Sequence, residues 1–241
     1  MHAVVIGAGI AGLATAALLG REGCEVTVVD SLDEVGGRAG SFEEAGFRWD
    51  TGPSWYLMPE AFDHFFALCG TSTEAELDLV DLSPAYRVFH GDAPVDVHSG
   101  PEEVAALFES LEPGAGEKVR EYLAQASDTY EMALKHFLYT TFSAPLNLVH
   151  RDIRTRISRL VALLSANLKQ HVGRSFSDAR LRQILSYPAV FLSSEPAAAP
   201  ALYSLMSHTD LVEGVRYPQG GFAAVVQAIY RQAQKFGATF R

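Results

Sequence analysis

The chain has 241 residues, of which 48% are hydrophobic and 20% charged, and its formal net charge is −10. This length supports a hydrophobic core in one large domain or two interleaved ones, and the composition excludes disordered and collagen-like chains. An acidic total argues against bulk nucleic-acid binding, which requires a broad basic face. The two cysteines, Cys24 and Cys69, exclude a disulfide framework or a multi-cysteine zinc site and suit a reducing cytoplasm.

The chain opens with a charge-free run, from Ala3 to Gly20, that is nearly as long as a membrane span. No Lys or Arg precedes it, so the positive region of a signal peptide is missing, and its four glycines would weaken a spanning helix. No other charge-free run approaches the length that crosses a bilayer. We therefore expect a cytoplasmic protein, soluble or peripheral on the inner face of the cell membrane.

A strand, a tight turn and a helix explain these glycines better. Residues 3–6 are an apolar, β-branched strand, and Gly7, Gly9 and Gly12 form G-x-G-x-x-G before an Ala- and Leu-rich helix over 13–19. Gly7 permits the turn, Gly9 lets the backbone approach a pyrophosphate, and Gly12 lets helix and strand pack closely. The unpaired N–H groups at the helix start then face the phosphates.

A second strand over 25–30 ends in Asp30, an acid 18 residues beyond Gly12. We expect the Asp30 carboxylate to accept hydrogen bonds from an adenosine ribose, and the lack of an Arg beside it argues against NADP. Because strand, helix, second strand and acid follow in register, the pattern predicts a dinucleotide-binding unit. The alternative is a glycine-rich turn in another kind of α/β protein.

Two further segments extend this pattern. Gly36-Gly37-Arg38 follows the second strand, where a glycine pair lets the chain fold back over the dinucleotide and Arg38 offers the phosphates a planar fork of donors. The alternative is a flexible loop with a solvated Arg. Residues 46–55 contain Asp50-Thr51-Gly52-Pro53, which alone is typical of a short strand with a Gly-Pro turn.

Together these segments resemble the flavin-dependent amine oxidase and desaturase superfamily. The similar segments are residues 5–13, 29–30, 36–42 and 50–53. Within the superfamily, residues 52–60 and 217–222 are most similar to bacterial-type phytoene desaturases. The resemblance implies an α/β fold: a Rossmann-like FAD-binding domain of a GR2-type flavoprotein with an inserted, mostly helical substrate domain.

The resemblance also implies a function. It implies an FAD-dependent oxidoreductase that desaturates the carotenoid precursor phytoene by hydride transfer to flavin, with a hydrophobic polyene as partner and neither metal nor nucleic acid. Gly37 and Arg38 would close over the phosphates, and Asp50 to Pro53 would lie toward the flavin ring. Many relatives have Glu at the position of Asp30, so the shorter acid must sit closer to the ribose. The expected FAD-binding residues are Gly7, Gly9, Ile10, Ala11, Gly12, Asp30, Gly37, Arg38, Asp50, Thr51, Gly52 and Pro53.

Three segments are expected along the chain. Residues 1–85 form the first part of the FAD-binding domain, 86–205 a substrate or membrane-facing domain, and 206–241 a return into the FAD-binding domain. Members of the family continue for roughly as long again. The expectation is therefore an N-terminal half whose C-terminal half is missing and which is inactive alone.

Local patterns predict the elements of the middle and last segments. Alternation and turn residues predict a hairpin over 86–98, and Ser99 opens a helix with a capping-box pattern. Further helices are predicted over 117–138 and 222–235, and a strand begins after Gly237.

Residues 151–174 hold a basic cluster in this acidic chain. An apolar stripe at helical spacing runs from Ile157 to Val172, and Arg156, Arg159 and Lys169 lie off it. One hypothesis is a helix that packs the stripe on the core and solvates its basic face. The other is an interfacial helix that contacts anionic lipid headgroups, because phytoene is stored in the bilayer.

Catalytic residues stay unknown from the sequence. It contains no Ser/His/Asp constellation, zinc-ligand spacing or P-loop, and its eight histidines are scattered. Asp152 is the single candidate proton acceptor, and a surface ion pair with Arg151 or Arg156 is the alternative. Two other functions stay open: another flavin oxidoreductase of the superfamily (amine oxidase, carotenoid oxygenase or isomerase), and an inactive truncated fragment.

Overall fold

The computed structural model describes residues 1–91, 93–140 and 151–241. It divides into a first unit, Met1–Leu82 with Val215–Arg241, and a second unit, Ser83–Gly214. The sequence placed these boundaries at 85/86 and 205/206. The second boundary lies later because residues 206–214 belong to the second unit, where Leu211 is part of the hydrophobic core.

A three-stranded parallel sheet lies at the centre of the first unit. Its strands are β1 (His2–Ile6), β2 (Glu25–Val29) and β9 (Thr239–Phe240), in the order β1-β2-β9. Helix α1 (Ile10–Arg21) makes the crossover that two parallel strands require between β1 and β2. The strand–helix–strand unit predicted from the glycine pattern is confirmed.

Helix α9 (Phe222–Lys235) packs against α1 beside this sheet. Val225, Ile229 and Ala233 recur at helical spacing along α9, and all three are buried. Gly20 allows the close approach, since a Cβ there would lie 2.5 Å from the carbonyl oxygen of Phe236. The helix predicted over 222–235 and the strand after it are confirmed.

Two small antiparallel sheets and two helices complete the first unit. They are β3 (Ser41–Glu44) with β4 (Phe47–Asp50), β5 (Leu79–Asp81) with β8 (Arg216–Pro218), α2 (Pro59–Leu68) and α3 (Thr73–Glu76). Beyond β5, the backbone N–H of Leu82 donates to the carbonyl of Val215 at 2.9 Å. This pairing joins the two segments of the chain that belong to the first unit.

The second unit is a hairpin followed by helices. Its elements are β6 (Tyr86–His90), β7 (Ala93–Val97), α4 (Pro101–Leu111), α5 (Ala115–Ala133), α6 (Arg151–Ser165), α7 (Leu168–Gly173) and α8 (Ala179–Ser186). A π-helical turn, Leu134–Leu138, continues α5 to the predicted end of that helix. The hairpin and the helical character of this unit are confirmed, and Phe108, Leu123 and Leu185 lie in its core.

The capping-box prediction at Ser99 is wrong. Gly100 is the N-cap residue of α4 and makes no side-chain cap bond. The Ser99 hydroxyl donates instead to the backbone carbonyl of Asp210 at 2.9 Å. Ser99 therefore ties the start of α4 to a π-helical turn, Thr209–Glu213, that is distant in sequence.

Asp210 places a buried carboxyl in that turn. It is 3% exposed, and one of its oxygens accepts a hydrogen bond from the Tyr86 hydroxyl at 3.1 Å. Burial raises the pKa of Asp210 to about 7, against the smaller opposite effect of the Tyr86 hydrogen bond. Tyr187 and Tyr122 also face this carboxyl and supply no positive charge. The neutral form of Asp210 is therefore favoured up to about neutral pH.

Asp210 makes the stability of the second unit depend on pH. Its pKa is 3.8 unfolded and about 7 folded, so the folded state binds more protons between these values. Between about pH 5 and about pH 8 the wild-type protein therefore loses about 3 kcal/mol in free energy of unfolding relative to Asp210→Asn, because about two pH units of this range lie below the folded pKa. Urea unfolding at about pH 5 and about pH 8 measures the difference.

The matched control is Asp81→Asn, which alters a carboxylate whose side chain is 89% exposed. This variant should show the wild-type pH dependence. A parallel loss of stability in wild type and Asp210→Asn would contradict the assignment.

Candidate functional site

Two glycines shape the turn between β1 and α1. Gly7 has a φ of +102°, which side-chain-bearing residues avoid. A Cβ on Gly12 would overlap the carbonyl oxygen of Gly7, so only glycine lets α1 start so close to the turn. These are the packing roles predicted for both residues.

The loop after β2 lies directly on this turn. The Gly36 N–H donates to the carbonyl of Ala8 at 2.9 Å, and Gly36 forms a parallel bridge with Gly9. Gly37 has a φ of +57°, and a Cβ on it would lie 3.3 Å from the Cα of Gly9. The chain therefore folds back at the glycine pair, and its closure over a dinucleotide stays a prediction.

Asp30 ties the end of β2 to the same turn. Its Oδ2 accepts a hydrogen bond from the Ala8 N–H at 2.6 Å, and its Oδ1 accepts one from the Leu32 N–H at 3.0 Å. These bonds, the Ala8 bond first, lower the pKa of Asp30 and keep it ionised. Each carboxylate oxygen keeps a second acceptor position, so ribose binding stays a prediction. The bond to Ala8 is a role that the sequence did not reveal.

Asp50 caps helix α9. Its Oδ2 accepts a hydrogen bond from the Phe222 N–H at 2.8 Å, and its Oδ1 accepts one from the Ala223 N–H at 3.2 Å. A carboxylate suits this position because the first N–H groups of a helix lack acceptors and the helix dipole is positive there. The resemblance placed Asp50 only toward the flavin ring, and that contact stays a prediction. No local spacing links Asp50 to a helix so far along the chain.

Thr51 and Gly52 hold the loop that carries Arg38. The N–H and the hydroxyl of Thr51 both donate to the carbonyl of Gly40, each at 2.9 Å. A Cβ on Gly52 would overlap the carbonyl oxygen of Arg38, so glycine is required at this crossing. Flavin contacts by Thr51 and Gly52 also stay predictions.

The turn, the loop and the start of α1 line a cleft of about 650 Å³. We call it the glycine cleft. Gly9 is the N-cap residue of α1 and has no side-chain cap bond, and the first N–H that bonds back to it is that of Leu13. Among the expected residues, those that line the cleft are Gly7, Gly9, Ile10, Ala11, Gly12, Arg38 and Pro53. The expected residues outside its lining are Asp30, Gly37, Asp50, Thr51 and Gly52.

The donors of the glycine cleft suit a diphosphate. Ile10, Ala11 and Gly12 stand in the first turn of α1, whose N–H groups lack helical acceptors and attract anions. Arg38 adds a guanidinium, and no Asp or Glu lines the cleft. The residues therefore fit the diphosphate of a dinucleotide.

Two basic side chains of α6 bind another helix, whereas the sequence predicted that they face solvent or lipid headgroups. Arg156 and Arg159 both bind Asp128 of α5, Arg156 at 2.6 Å, and these bonds hold the pKa of Asp128 well below its usual range. The apolar side chains Ile157, Val161 and Leu164 are instead 54%, 58% and 59% exposed. The hypothesis of a core-packed stripe with a solvated basic face is therefore wrong for α6.

The stripe divides because the helix is broken. Ala166 and Asn167 separate α6 from α7, and on α7 the stripe residues Leu168 and Val172 are fully buried. The side chain of Asp152, the candidate proton acceptor, lies outside the described part of the structure.

Other features of residues 1–91, 93–140 and 151–241 bear on the class of site. No three His, Cys, Asp or Glu side chains there come together as a metal site, and no helix there has the length and hydropathy of a membrane span. Cys69 is buried and Cys24 is half-buried, and both are free thiols. Burial raises the pKa of Cys69, which disfavours the reactive thiolate.

Comparison with known proteins identifies the family. The sequence profile described as flavin containing amine oxidoreductase matches residues 10–241, nearly the whole chain. The chain belongs to the flavin-containing amine oxidoreductase family. Flavin is therefore the cofactor class of this family, and the glycine cleft is a feature of one of its members.

The names of two curated relatives describe carotenoid enzymes. A carotenoid 3,4-desaturase of Haloarcula japonica is 40% identical over 98% of this chain and 48% of its own length. A phytoene dehydrogenase of Streptomyces griseus is 38% identical over 100% of this chain and 47% of its own length. The chain thus spans about half the length of the curated relatives it matches. The resemblance to phytoene desaturases drawn from the sequence is confirmed.

A solved structure supports the fold. An oxidoreductase of Methanosarcina mazei superposes with a TM-score of 0.59 at 20% identity, over 100% of this chain and 51% of that one. At this identity the likeness shows the fold alone, and it agrees with the predicted α/β flavoprotein architecture.

Two alanine variants test the packing of the glycine cleft. Gly12→Ala should lower the free energy of unfolding by about 1–3 kcal/mol, because the added methyl overlaps Gly7 backbone, even though Ala is the better helix former. Gly9→Ala should cost less than about 1 kcal/mol, since its Cβ would meet the Gly36 carbonyl oxygen at an ordinary 3.8 Å. Urea unfolding compares the two, and equal losses would contradict this packing.

Proposed function

We propose that the protein is an FAD-dependent carotenoid desaturase acting on phytoene or a similar polyene, and that this chain supplies the diphosphate-binding part of the FAD site. The observation that carries the proposal is the glycine cleft, where an uncapped helix N-terminus and Arg38 face one space free of acidic side chains. The carotenoid enzymes at 40% and 38% identity support the substrate class.

In this proposal different residues of the chain bind different parts of the dinucleotide. The first-turn N–H groups of α1 donate to the diphosphate, and Arg38 adds charge-assisted bonds to it. Asp30, which the Ala8 N–H keeps ionised, accepts hydrogen bonds from the adenosine ribose. An adenosine and a diphosphate together distinguish FAD from FMN, which is why FAD is the form proposed.

The chemistry divides between the cofactor and the chain. Bound FAD supplies the hydride acceptor that a desaturation needs. The chain orients that acceptor: Gly36 and Gly37 hold the loop against the turn, while Asp50 anchors α9 beside it. Since the chain makes these contacts by itself, the site in this proposal is organised before the cofactor binds.

Amine oxidation is the second candidate, favoured by the description of the family. A cationic amine needs aromatic side chains around it, whereas a polyene needs a long apolar tunnel. We favour desaturation because the curated relatives at 40% and 38% identity are carotenoid enzymes.

The test is a pathway experiment with the full-length protein. Co-expression with enzymes that make phytoene should yield coloured products with longer conjugation. Arg38→Gln should weaken FAD binding about ten-fold through the lost charged hydrogen bonds, whereas Arg231→Gln, which removes an equal charge from α9, should not. Colourless extracts from a protein that carries flavin would reject desaturation.

We also propose that the protein contacts the inner face of the cell membrane through α6. The exposed residues Ile157, Val161 and Leu164 recur at i, i+4 and i+7 and form one apolar line on a 15-residue helix. A helix with such a face lies in the plane of the membrane interface. Arg154 is exposed on the same helix, while Arg156 and Arg159 are engaged by Asp128 and take no part.

Removal of the apolar line tests this contact. Ile157→Ser/Val161→Ser/Leu164→Ser should weaken co-sedimentation with phosphatidylcholine vesicles at least ten-fold, because about 1.5–3 kcal/mol of burial is lost at each position. Val80→Ser, which alters an exposed apolar residue of β5, is the control and should bind as wild type does. Unchanged binding of the triple variant would refute the contact.

A further inference from the structure

A second cleft, of about 1000 Å³, lies within the second unit between α7, α8 and residues 195–197. Three cationic side chains line it: Lys169, Arg174 and Arg182. The other polar side chains of its lining are Asn167, Gln170, Gln183, Ser186 and the single carboxylate Glu195. We call it the cationic cleft, since positive charge predominates there in a chain whose net charge is −10.

The cations of this cleft are unlike their basic neighbours in the sequence. Asp128 engages Arg156 and Arg159, and Asp178 pairs with Arg180 at 2.6 Å. Within the part of the chain that the structure describes, the three cations of the cationic cleft form no ion pair. The Arg182 guanidinium donates one hydrogen bond to the backbone carbonyl of Ser177, which leaves its charge uncompensated. The charges of all three cations are therefore available to an anion from outside the chain.

His171 reports the same positive field. It stands on α7 between Lys169 and Arg174, and its pKa is lowered first by burial and then by the charge of Arg174. A bound anion beside Arg174 would relieve that repulsion.

The lining suits a phosphate group. Guanidinium and ammonium groups give the short charge-assisted bonds that phosphate oxygens accept. The amides of Gln170 and Gln183 add neutral donors, which can bind the ester or hydroxyl oxygens next to a phosphate. Glu195 is the one opposing charge, so the cleft keeps a net positive lining.

The position of the cationic cleft favours a lipid as the source of that phosphate. Helix α6 ends at Ser165, and the cleft begins two residues later at Asn167. The Lys169 N–H donates to the carbonyl of Pro196 at 2.9 Å, which holds the start of α7 on the loop that lines the cleft. The cations of the cleft are thus close in sequence to the apolar face of α6, and cations near such a face can bind headgroups when the face enters a bilayer.

We infer that the cationic cleft binds a phosphate-bearing anion, and that this anion is the headgroup of an anionic phospholipid in the membrane that α6 contacts. The inference rests on the membrane contact proposed above and adds a preference for anionic over zwitterionic lipid. It also gives an acidic chain an attractive point on an anionic surface, which would favour one orientation of the protein there.

The experiment uses flavin-loaded, full-length protein and two vesicle compositions, phosphatidylcholine alone and phosphatidylcholine with about 30% phosphatidylglycerol. Lys169→Gln/Arg174→Gln should weaken binding to the anionic vesicles about thirty-fold and leave binding to neutral vesicles unchanged. Lys118→Gln/Arg120→Gln removes the same charge from exposed ion pairs on α5 and should bind as wild type does. Thermal unfolding confirms that each variant is folded.

Each remaining outcome decides against part of the inference. Equal binding of wild type and Lys169→Gln/Arg174→Gln to anionic vesicles overturns the cleft as the site. If calorimetry shows binding of inorganic phosphate but the protein shows no preference for anionic vesicles, the cleft binds free phosphate and the lipid assignment is wrong. Flavin absorbance is recorded for every sample, so failure of the FAD proposal (no flavin) is distinct from failure at the cleft (flavin present, no anionic preference).

Discussion

The structure of the first unit depends on the close approach of bare backbone at the first turn. Gly12 brings α1 up to Gly7 because a side chain at Gly12 would overlap the turn, and Gly36 hydrogen-bonds to Ala8 across the same space. Without side chains in the way, the first N–H groups of α1 open onto the glycine cleft. An anion site of this kind needs almost no side-chain chemistry, since the helix end supplies both donors and field.

Two carboxylates outside the lining of the glycine cleft stabilise this arrangement. Asp30 accepts from the Ala8 N–H and fixes the turn to β2, while Asp50 accepts from Phe222 and Ala223 and fixes the β3–β4 hairpin to α9. Both residues stood among the expected cofactor ligands. Their observed partners are backbone N–H groups, so a loss of flavin on mutating either one would combine a lost contact with a loosened frame.

Patterns of short range could be predicted from the sequence, and partnerships of long range could not. The glycine turn, the hairpin and α9 follow from spacing within ten or twenty residues, where strand and helix periods act. The same reasoning failed for Ser99, whose hydroxyl binds Asp210 rather than its own helix, and for Arg156, which binds Asp128 of another helix. In each case the side chain donates to an acceptor that is distant in sequence, in place of water or a local helix cap. The spacing of nearby residues carries no information about such a distant acceptor.

The most direct test is the identity of the nucleotide that co-purifies with the full-length protein. Acid release followed by chromatography and mass spectrometry should give FAD at about one per chain, because the proposed function assigns a diphosphate to the glycine cleft and an adenosine ribose to Asp30. A colourless preparation that takes up no FAD when supplied with it would contradict the site on which the proposed function rests.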